Sequence, residues 1–423
     1  MLTMLLRGPR RSADPTRTYY CLQGSWSLFH SLAFALTLLY QVQVVGLTPL
    51  QLVLVGTLLE VTCFLGEIPT GIVADLYSRR LSVLIGLVLI GTGIVLQGAL
   101  PVFWAVLLAQ IVWGIGYTFT SGATEAWITD EIGEGNVQPV FTRAEQLGLA
   151  MTFTGTIAAG GVGIVDLRLP IVLAGIGYVV LAGVLVLVMP EGNFHRTPRD
   201  EWETFAHMRR SFTDGLAQVH RRPVVRSFFL ISLLVGLSSE VFDRLWAARL
   251  IEEFTFPSVF GTDSSAVWFA LIVLIGTLVS LLVSLVVNRV GTKTVNDLHP
   301  NALLAVLVLI QVAGVLGLAL LGNLWLALAA IWVRDAARVV AYPIQAAWLN
   351  RNVDSRSRAT VLSMNSQTDA LGQVVGGPPL GALATRTSIP VALIVSAGIL
   401  APAAAIYARL RPPSPTRDPS ADN

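Results

Sequence analysis

Charge is what this 423-residue chain has least of. Asp, Glu, Lys and Arg together make up 13% of it, against 54% hydrophobic residues, where a soluble globular domain carries about 25% charged residues. That shortage excludes an ordinary soluble domain and points to an integral membrane protein. Lysine is nearly missing: Lys293 stands alone and every other basic residue is Arg. The formal net charge of +2 gives no reason to expect a nucleic-acid partner. Only two cysteines occur, Cys21 and Cys63. Both lie in apolar runs and read as free, packed thiols, with no disulfide framework and no metal-ligand spacing. Of five histidines only His30 falls inside an apolar run. No H-E-x-x-H pattern, paired-Asp protease pattern or G-x-x-x-x-G-K-[ST] loop is present, which argues against an intramembrane metalloprotease and against ATP binding through a P-loop. No enzyme activity, cofactor or metal is expected. The opening Met1-Leu-Thr-Met-Leu-Leu-Arg7 has too short an apolar core for a secretory signal.

Long apolar runs are what the chain does have. A span needs roughly 20 mostly apolar residues, and about twelve such runs occur, near 19–45, 50–74, 81–100, 102–128, 142–165, 169–190, 224–250, 264–288, 300–321, 323–349, 358–384 and 388–409. Pro49, Pro101, Pro170 and Pro390 sit at span starts, where Pro is tolerated. With the N-terminus inside, twenty-one Arg and Lys residues fall in inner segments and two, Arg168 and Arg386, in outer ones. The positive-inside rule therefore places both termini in the cytosol. Residues 1–18 and 411–423 read as disordered cytosolic tails. Residues 191–223 form the longest loop, between a first half at 19–190 and a second at 224–410. Within it Trp202, Phe205, Met208, Phe212, Leu216 and Val219 recur at helical spacing among Arg209, Arg210, Arg221 and Arg222, the pattern of an amphipathic helix lying on the inner membrane surface.

One short stretch organises the rest: Gly66-Glu-Ile-Pro-Thr-Gly71-Ile-Val-Ala-Asp75-Leu-Tyr-Ser-Arg79-Arg80, between the second and third runs. A fainter copy, Asn288, Arg289, Gly291 and Lys293, follows the eighth. Ala126-Trp127-Ile128 is echoed by Ala347-Trp348-Leu349. The spacing of Gly71, Asp75, Arg79 and Arg80 resembles the loop between helices 2 and 3 of the major facilitator superfamily (MFS) of secondary transporters. The Glu-Ile-Pro-Thr-Gly lead-in is similar to its drug-efflux-like branches. Leu76 stands where that family has a basic residue and Ser78 where it has Gly. The resemblance implies an all-α integral membrane fold of about twelve transmembrane helices in two six-helix pseudo-repeat halves. In such repeats the substrate site lies near the midplane between halves. Gly71 is expected to allow close helix packing, Asp75 to accept from a neighbouring helix N-terminus, and Arg79 and Arg80 to stay among the headgroups. Together they read as a conformational gate, with Glu125, Asp130, Glu131, Arg143 and Glu145 nearby.

Ionisable residues inside spans are costly and default to functional hypotheses. On the tenth span Arg334, Arg338, Tyr342 and Gln345 recur at helical spacing as one polar stripe, with Asp335 beside it. The resemblance implies that spans 1, 4, 7 and 10 line the cavity, adding His30, Trp113, Tyr117 and Glu125. An aromatic and acidic lining suits amphipathic cations, whereas paired Arg suits an anion, so substrate class stays open. The blander alternatives are that Arg334, Asp335 and Arg338 neutralise one another and that His30 is a packed helix residue. Proton coupling needs a carboxylate balanced between burial and neighbouring charge. Glu60 and Asp369 are candidates because no Arg is near them in sequence, followed by Asp335 and Glu240. Gln110 stands where MFS drug–proton antiporters often carry an Arg.

The readings that follow are a proton-coupled exporter of small organic or drug-like compounds, or a proton-linked or facilitative importer of a small acid or sugar. An intramembrane enzyme is the reading of another class. The expected partners are a small-molecule substrate, protons and the lipid bilayer. The expected setting is the plasma (inner) membrane, with the chain as a monomer.

Overall fold

The computed structural model describes residues 13–194, 222–294, 300–353 and 358–410. The tails and the surface helix expected around 202–219 lie outside these residues. The described chain runs through fourteen helices: α1 (Pro15–Phe34), α2 (Thr37–Gln43), α3 (Pro49–Leu76), α4 (Arg79–Ala99), α5 (Phe103–Thr120), α6 (Ala123–Ile132), α7 (Glu134–Gly163), α8 (Arg168–Val188), α9 (Pro223–Glu253), α10 (Ser265–Thr294), α11 (Pro300–Leu320), α12 (Leu324–Arg351), α13 (Arg358–Arg386) and α14 (Ile389–Arg409). They are the twelve expected spans, with the first and fourth each broken in two. The fourth breaks at Gly122, whose φ of 72° is a left-handed conformation that ends α5. Gly133, at φ 81°, separates α6 from α7 in the same way.

Helix starts follow local chemistry. Asp14 caps α1 by accepting from Thr16 N, with Pro15 in the first turn. Because of that cap, α1 begins inside the segment read as a tail. Thr48 and Gln51 form a reciprocal capping box at the start of α3. Among the described residues, eight helical segments are long and apolar enough to cross a membrane. The four spans outside that set are α1–α2, α7, α12 and α13. Polar and small residues lower the hydropathy of these spans, joined on α12 by the charges of Arg334, Asp335 and Arg338.

The helices form two compact units. The first joins α1–α8 to Glu240–Ile275 and Gln373–Ala392. The second comprises Gly276–Gly372 with the described parts of His207–Ser239 and Leu393–Asn423. In the first, α4 packs on α5 and α8, and α1 on α7 and α8. The α4–α8 crossing is made backbone to backbone: a Cβ at Gly91 would stand 2.5 Å from Gly175 O, and one at Gly175 2.7 Å from Gly91 O. Membrane helices associate through such small-residue contacts because lipid gives no hydrophobic drive to packing. Gly91→Val is expected to part α4 from α8 and leave little monodisperse protein in size exclusion. Gly183→Val, where a Cβ meets nothing within 4 Å, should express normally.

Two core clusters hold the first unit. One centres on Tyr40, Trp127 and Tyr178. The other joins Ala35, Leu36, Leu39 and Ala159 to Ala247, Ala266 and Phe269. In the second unit Phe228, Trp348 and Tyr407 pack ring on ring, with centroids 5.3 to 6.4 Å apart. α9 meets α13 there at Gly236, where any Cβ would overlap Asp369 O. Cys21 is exposed and Cys63 half-buried. The expectation of packed thiols therefore fails at Cys21, which the helical phase of α1 turns outward.

Candidate functional site

The α3–α4 turn departs from its sequence reading at three positions. Gly71 has open space around its Cβ position, so it makes no close helix contact. Asp75 is exposed and accepts from no helix N-terminus among the described residues. Arg80 is fully buried rather than among headgroups. α4 starts at Ser78, whose side chain accepts from Leu81 N at 2.9 Å. That phase points Arg79 outward and Arg80 into the bundle.

Arg79 pairs with the Asp130 carboxylate and donates to Ala126 O at 2.8 Å, fastening α4 to α6. Arg80 donates to Val186 O on α8 at 2.7 Å. Glu191, just past α8, accepts from Arg80 N at 2.9 Å and from Ser78 Oγ at 2.6 Å. Glu131 accepts from the backbone N of Gly192 and Asn193 at 2.8 and 2.9 Å. Trp127 donates to Pro190 O at 2.6 Å. Residues 190–193 are thus strapped across the ends of α4 and α6. Sequence reading missed Glu191 because it stands in a loop 111 residues from Arg80. Arg143, assigned to the same gate, is exposed and pairs with none of these groups. Of the second-half counterpart only Arg289 has a described side chain, which is exposed. The side chains of Asn288, Gly291 and Lys293 lie outside the described residues.

The cavity candidates of the first unit form two groups. His30, Phe34, Trp113 and Tyr117 make an aromatic ladder across α1 and α5, with centroids 4.5, 5.5 and 5.7 Å apart in sequence order. Phe34 was missed; it lies one turn beyond His30, and that spacing was the available signal. Below it, a groove of about 300 Å³ is lined by Tyr19, Gln23, Glu125, Phe141, Glu145 and Thr152, among others. Glu125 and Glu145 face this groove instead of joining Arg79.

Glu60 and Glu240 belong to a third cluster. The Glu240 side chain is 3% exposed and accepts from Arg244 Nε at 2.9 Å. Arg244 also lies in the field of Asp243 and Glu60. Glu60, chosen for lack of a nearby Arg, therefore acquires one through tertiary packing. In the second unit the α12 stripe divides. Arg334 is buried, with its guanidinium on Asp335 at 2.8 Å and its Cβ against Gly314 of α11. Arg338 and Tyr342 are exposed, Tyr342 at 75%, and Gln345 is half-buried. Asp335 and Asp369 are half-buried. Among the described residues no group of three His, Cys, Asp or Glu is placed to hold a metal.

Twelve spans, with charges concentrated at helix turns and inside a few spans, define a multi-pass membrane protein. The chain belongs to the Major Facilitator Superfamily, whose sequence model matches residues 21–337. It is 21% identical over 359 residues to an uncharacterized MFS-type transporter, YxaM, of Bacillus subtilis (strain 168), covering 83% of this chain and 85% of that one. The nucleoside transporter NupG superposes with a TM-score of 0.75 at 13% identity, covering 93% of this chain and 98% of that chain. A bacterial homologue of the human lysosomal transporter Spinster, in an inward-facing and unoccupied conformation, superposes with a TM-score of 0.68 at 16% identity, covering 94% and 97%. At these identities the structures share the fold with this chain. Family membership also assigns it a small-molecule substrate and a place in a lipid bilayer.

Proposed function

We propose that this transporter is a proton-coupled exporter of small organic cations working by alternating access, on the drug-efflux-like side of the superfamily. One observation carries the substrate class: the groove between α1, α6 and α7 sets two carboxylates, Glu125 and Glu145, beside the rings of Tyr19 and Phe141. Carboxylates attract a cationic head and aromatic faces take up its charge and its apolar body. The ladder from His30 to Tyr117 continues that lining along α1 and α5. The importer reading would use Arg338, an exposed cation of α12, to hold a small organic acid; Arg334 pairs with Asp335.

In this reading the halves are 19–190 and 224–410, the chain works as a monomer in the plasma (inner) membrane, and both termini are cytosolic. Gly71, Asp75 and Arg79 border the cytosolic gate and Arg80 supports it from inside the bundle; the Arg79–Asp130 pair acts on the gate because a charge pair formed in one conformation biases a two-state equilibrium. Protons enter through Glu60, Glu240, Asp335 or Asp369.

The test uses purified protein in liposomes with an imposed proton gradient and a lumenal pH dye. Lipophilic cations, organic acids and sugars are added in turn. Proton efflux or influx evoked by the cations alone is the expected result, reduced to background by Glu125→Gln with Glu145→Gln. Proton movement evoked by acids or sugars instead would overturn the cation assignment. Substrate equilibration with no proton movement would overturn coupling.

A further inference from the structure

The pseudo-repeat carries contacts as well as residues. Gly93 of α4 lies against α5, where a Cβ would stand 2.9 Å from Ala109 O and from Trp113 N. Gly314 of α11 lies against α12 in the same way, with a Cβ 2.8 Å from Ala330 O and 2.5 Å from Arg334 Cβ. One constant shift along the chain carries Gly93 to Gly314, Ala109 to Ala330 and Trp113 to Arg334. The same shift carries Trp127 to Trp348 and Arg80 to Asn301. The last turn of α12 is therefore the counterpart of α6, and the start of α11 that of α4.

In the first unit the strap at 190–193 satisfies both positions. Trp127 Nε1 donates to Pro190 O at 2.6 Å, and Arg80 N donates to Glu191 at 2.9 Å. In the second unit the corresponding side chains carry buried polar atoms, Trp348 Nε1 and Asn301 Oδ1, with no hydrogen-bond partner among the described residues. Trp348 is only 3% exposed. A buried donor left unmade costs the full desolvation of the group, and such groups are rare in folded proteins.

The chain itself runs to this spot. Trp348 stacks on Tyr407 with centroids 6.4 Å apart and shares a core cluster with Leu410. Arg411-Pro412-Pro413 come next. A residue before proline is pushed out of the helical region into extended backbone, so this run leaves α14 extended. Met189 does the same past α8, at φ −75° and ψ 110°. Pro190 stands 63 residues after Trp127, and Arg411 stands 63 residues after Trp348.

We propose that Arg411-Pro412-Pro413 is a second strap, lying across the ends of α11 and α12. The Arg411 carbonyl accepts from Trp348 Nε1, and the Arg411 guanidinium donates to Asn301 Oδ1. The polarity is reversed from the first strap, where the acid Glu191 meets the basic start of α4. Asn301 offers an acceptor in place of Arg80, so the second strap needs a donor. The two prolines bring no N–H that must be satisfied and lose little conformational freedom on docking. The segment directly after Leu410 thus belongs to the core of the second unit.

The test uses the full chain in membranes, in a Cys21→Ala, Cys63→Ala background. Asn301→Cys combined with Arg411→Cys should cross-link readily under mild oxidation, and Asn301→Cys combined with Ser420→Cys should not. No link from position 411, or equal links from both positions, would overturn the strap. In Arg411→Cys alone, which keeps the backbone acceptor, maleimide labelling of the thiol reports the undocked fraction. Trp348→Phe keeps a ring in the cluster but removes the donor, and should speed labelling about fivefold, the effect of one ordinary hydrogen bond. Trp104→Phe, at a residue 76% exposed in the first unit, should leave labelling unchanged. Equal rates with and without Trp348→Phe would show that water satisfies the indole and would overturn the assignment. Should Trp348→Phe fail to fold, the cross-linking pair decides the matter. No substrate or proton gradient enters either readout, so the strap stands or falls apart from the export reading.

Discussion

Arg80→Ala is expected to cost about 3–5 kcal/mol of stability, the usual penalty for removing one partner from a buried charged network. A domain has only about 5–15 kcal/mol in hand, so most of the protein should be lost as monodisperse material and the remainder should melt well below the parent. Three features set the size of the effect. The Arg80 side chain is fully buried, so water cannot replace it. Its guanidinium donates to Val186 O at 2.7 Å, and that carbonyl would lose a charge-assisted bond. Glu191, which accepts from Arg80 N and Ser78 Oγ, would lose the cation facing it. Arg79→Ala is the control. Its partner pair is 21% and 26% exposed, and pairs open to solvent are worth about 0–1 kcal/mol. Arg79→Ala should fold and alter transport. Equal melting temperatures for the two variants would show that Arg80 carries no structural weight.

The second large effect concerns the carboxylates. Glu60→Gln and Asp369→Asn are each expected to reduce uphill transport to the level of empty liposomes while sparing exchange. A neutral amide keeps the size of the carboxyl group and the donor and acceptor of its protonated form but cannot release a proton, so only the coupled step is lost. Glu60 has the stronger structural case, because Arg244, which it reaches electrostatically, is already tied to Glu240. A proton on Glu60 would change the field at the Glu240–Arg244 pair. Asp369 instead sits where α13 crosses α9, with its backbone carbonyl against Gly236. The measurement is counterflow alongside gradient-driven accumulation in the same vesicles. Unchanged accumulation in both variants would remove these residues from coupling.

The membrane nature of the chain, its twelve spans and its superfamily were legible because they depend on local physics. A span must be about 20 apolar residues long whatever it packs against. Counting arginines by loop needs no knowledge of their neighbours, and the motif from Gly66 to Arg80 is one continuous stretch of fifteen residues. Helix caps at Asp14, Thr48 and Ser78 are equally local. The site was legible in its residue types and much less in its pairings. Arg79 and Arg80 are indistinguishable in sequence; the start of α4 at Ser78 and the end of α8 set one on the Asp130 carboxylate and buried the other. Glu60 seemed remote from any cation until α9 laid Arg244 on α3. The even stripe from Arg334 to Tyr342 divided because α11, through Gly314, covers one part of it and leaves the other exposed. Electrostatic and packing energies depend on distances through space, and a chain folded into twelve spans brings together groups more than a hundred residues apart. Composition and periodicity determined which residues enter the membrane; only the tertiary structure decided which charge meets which.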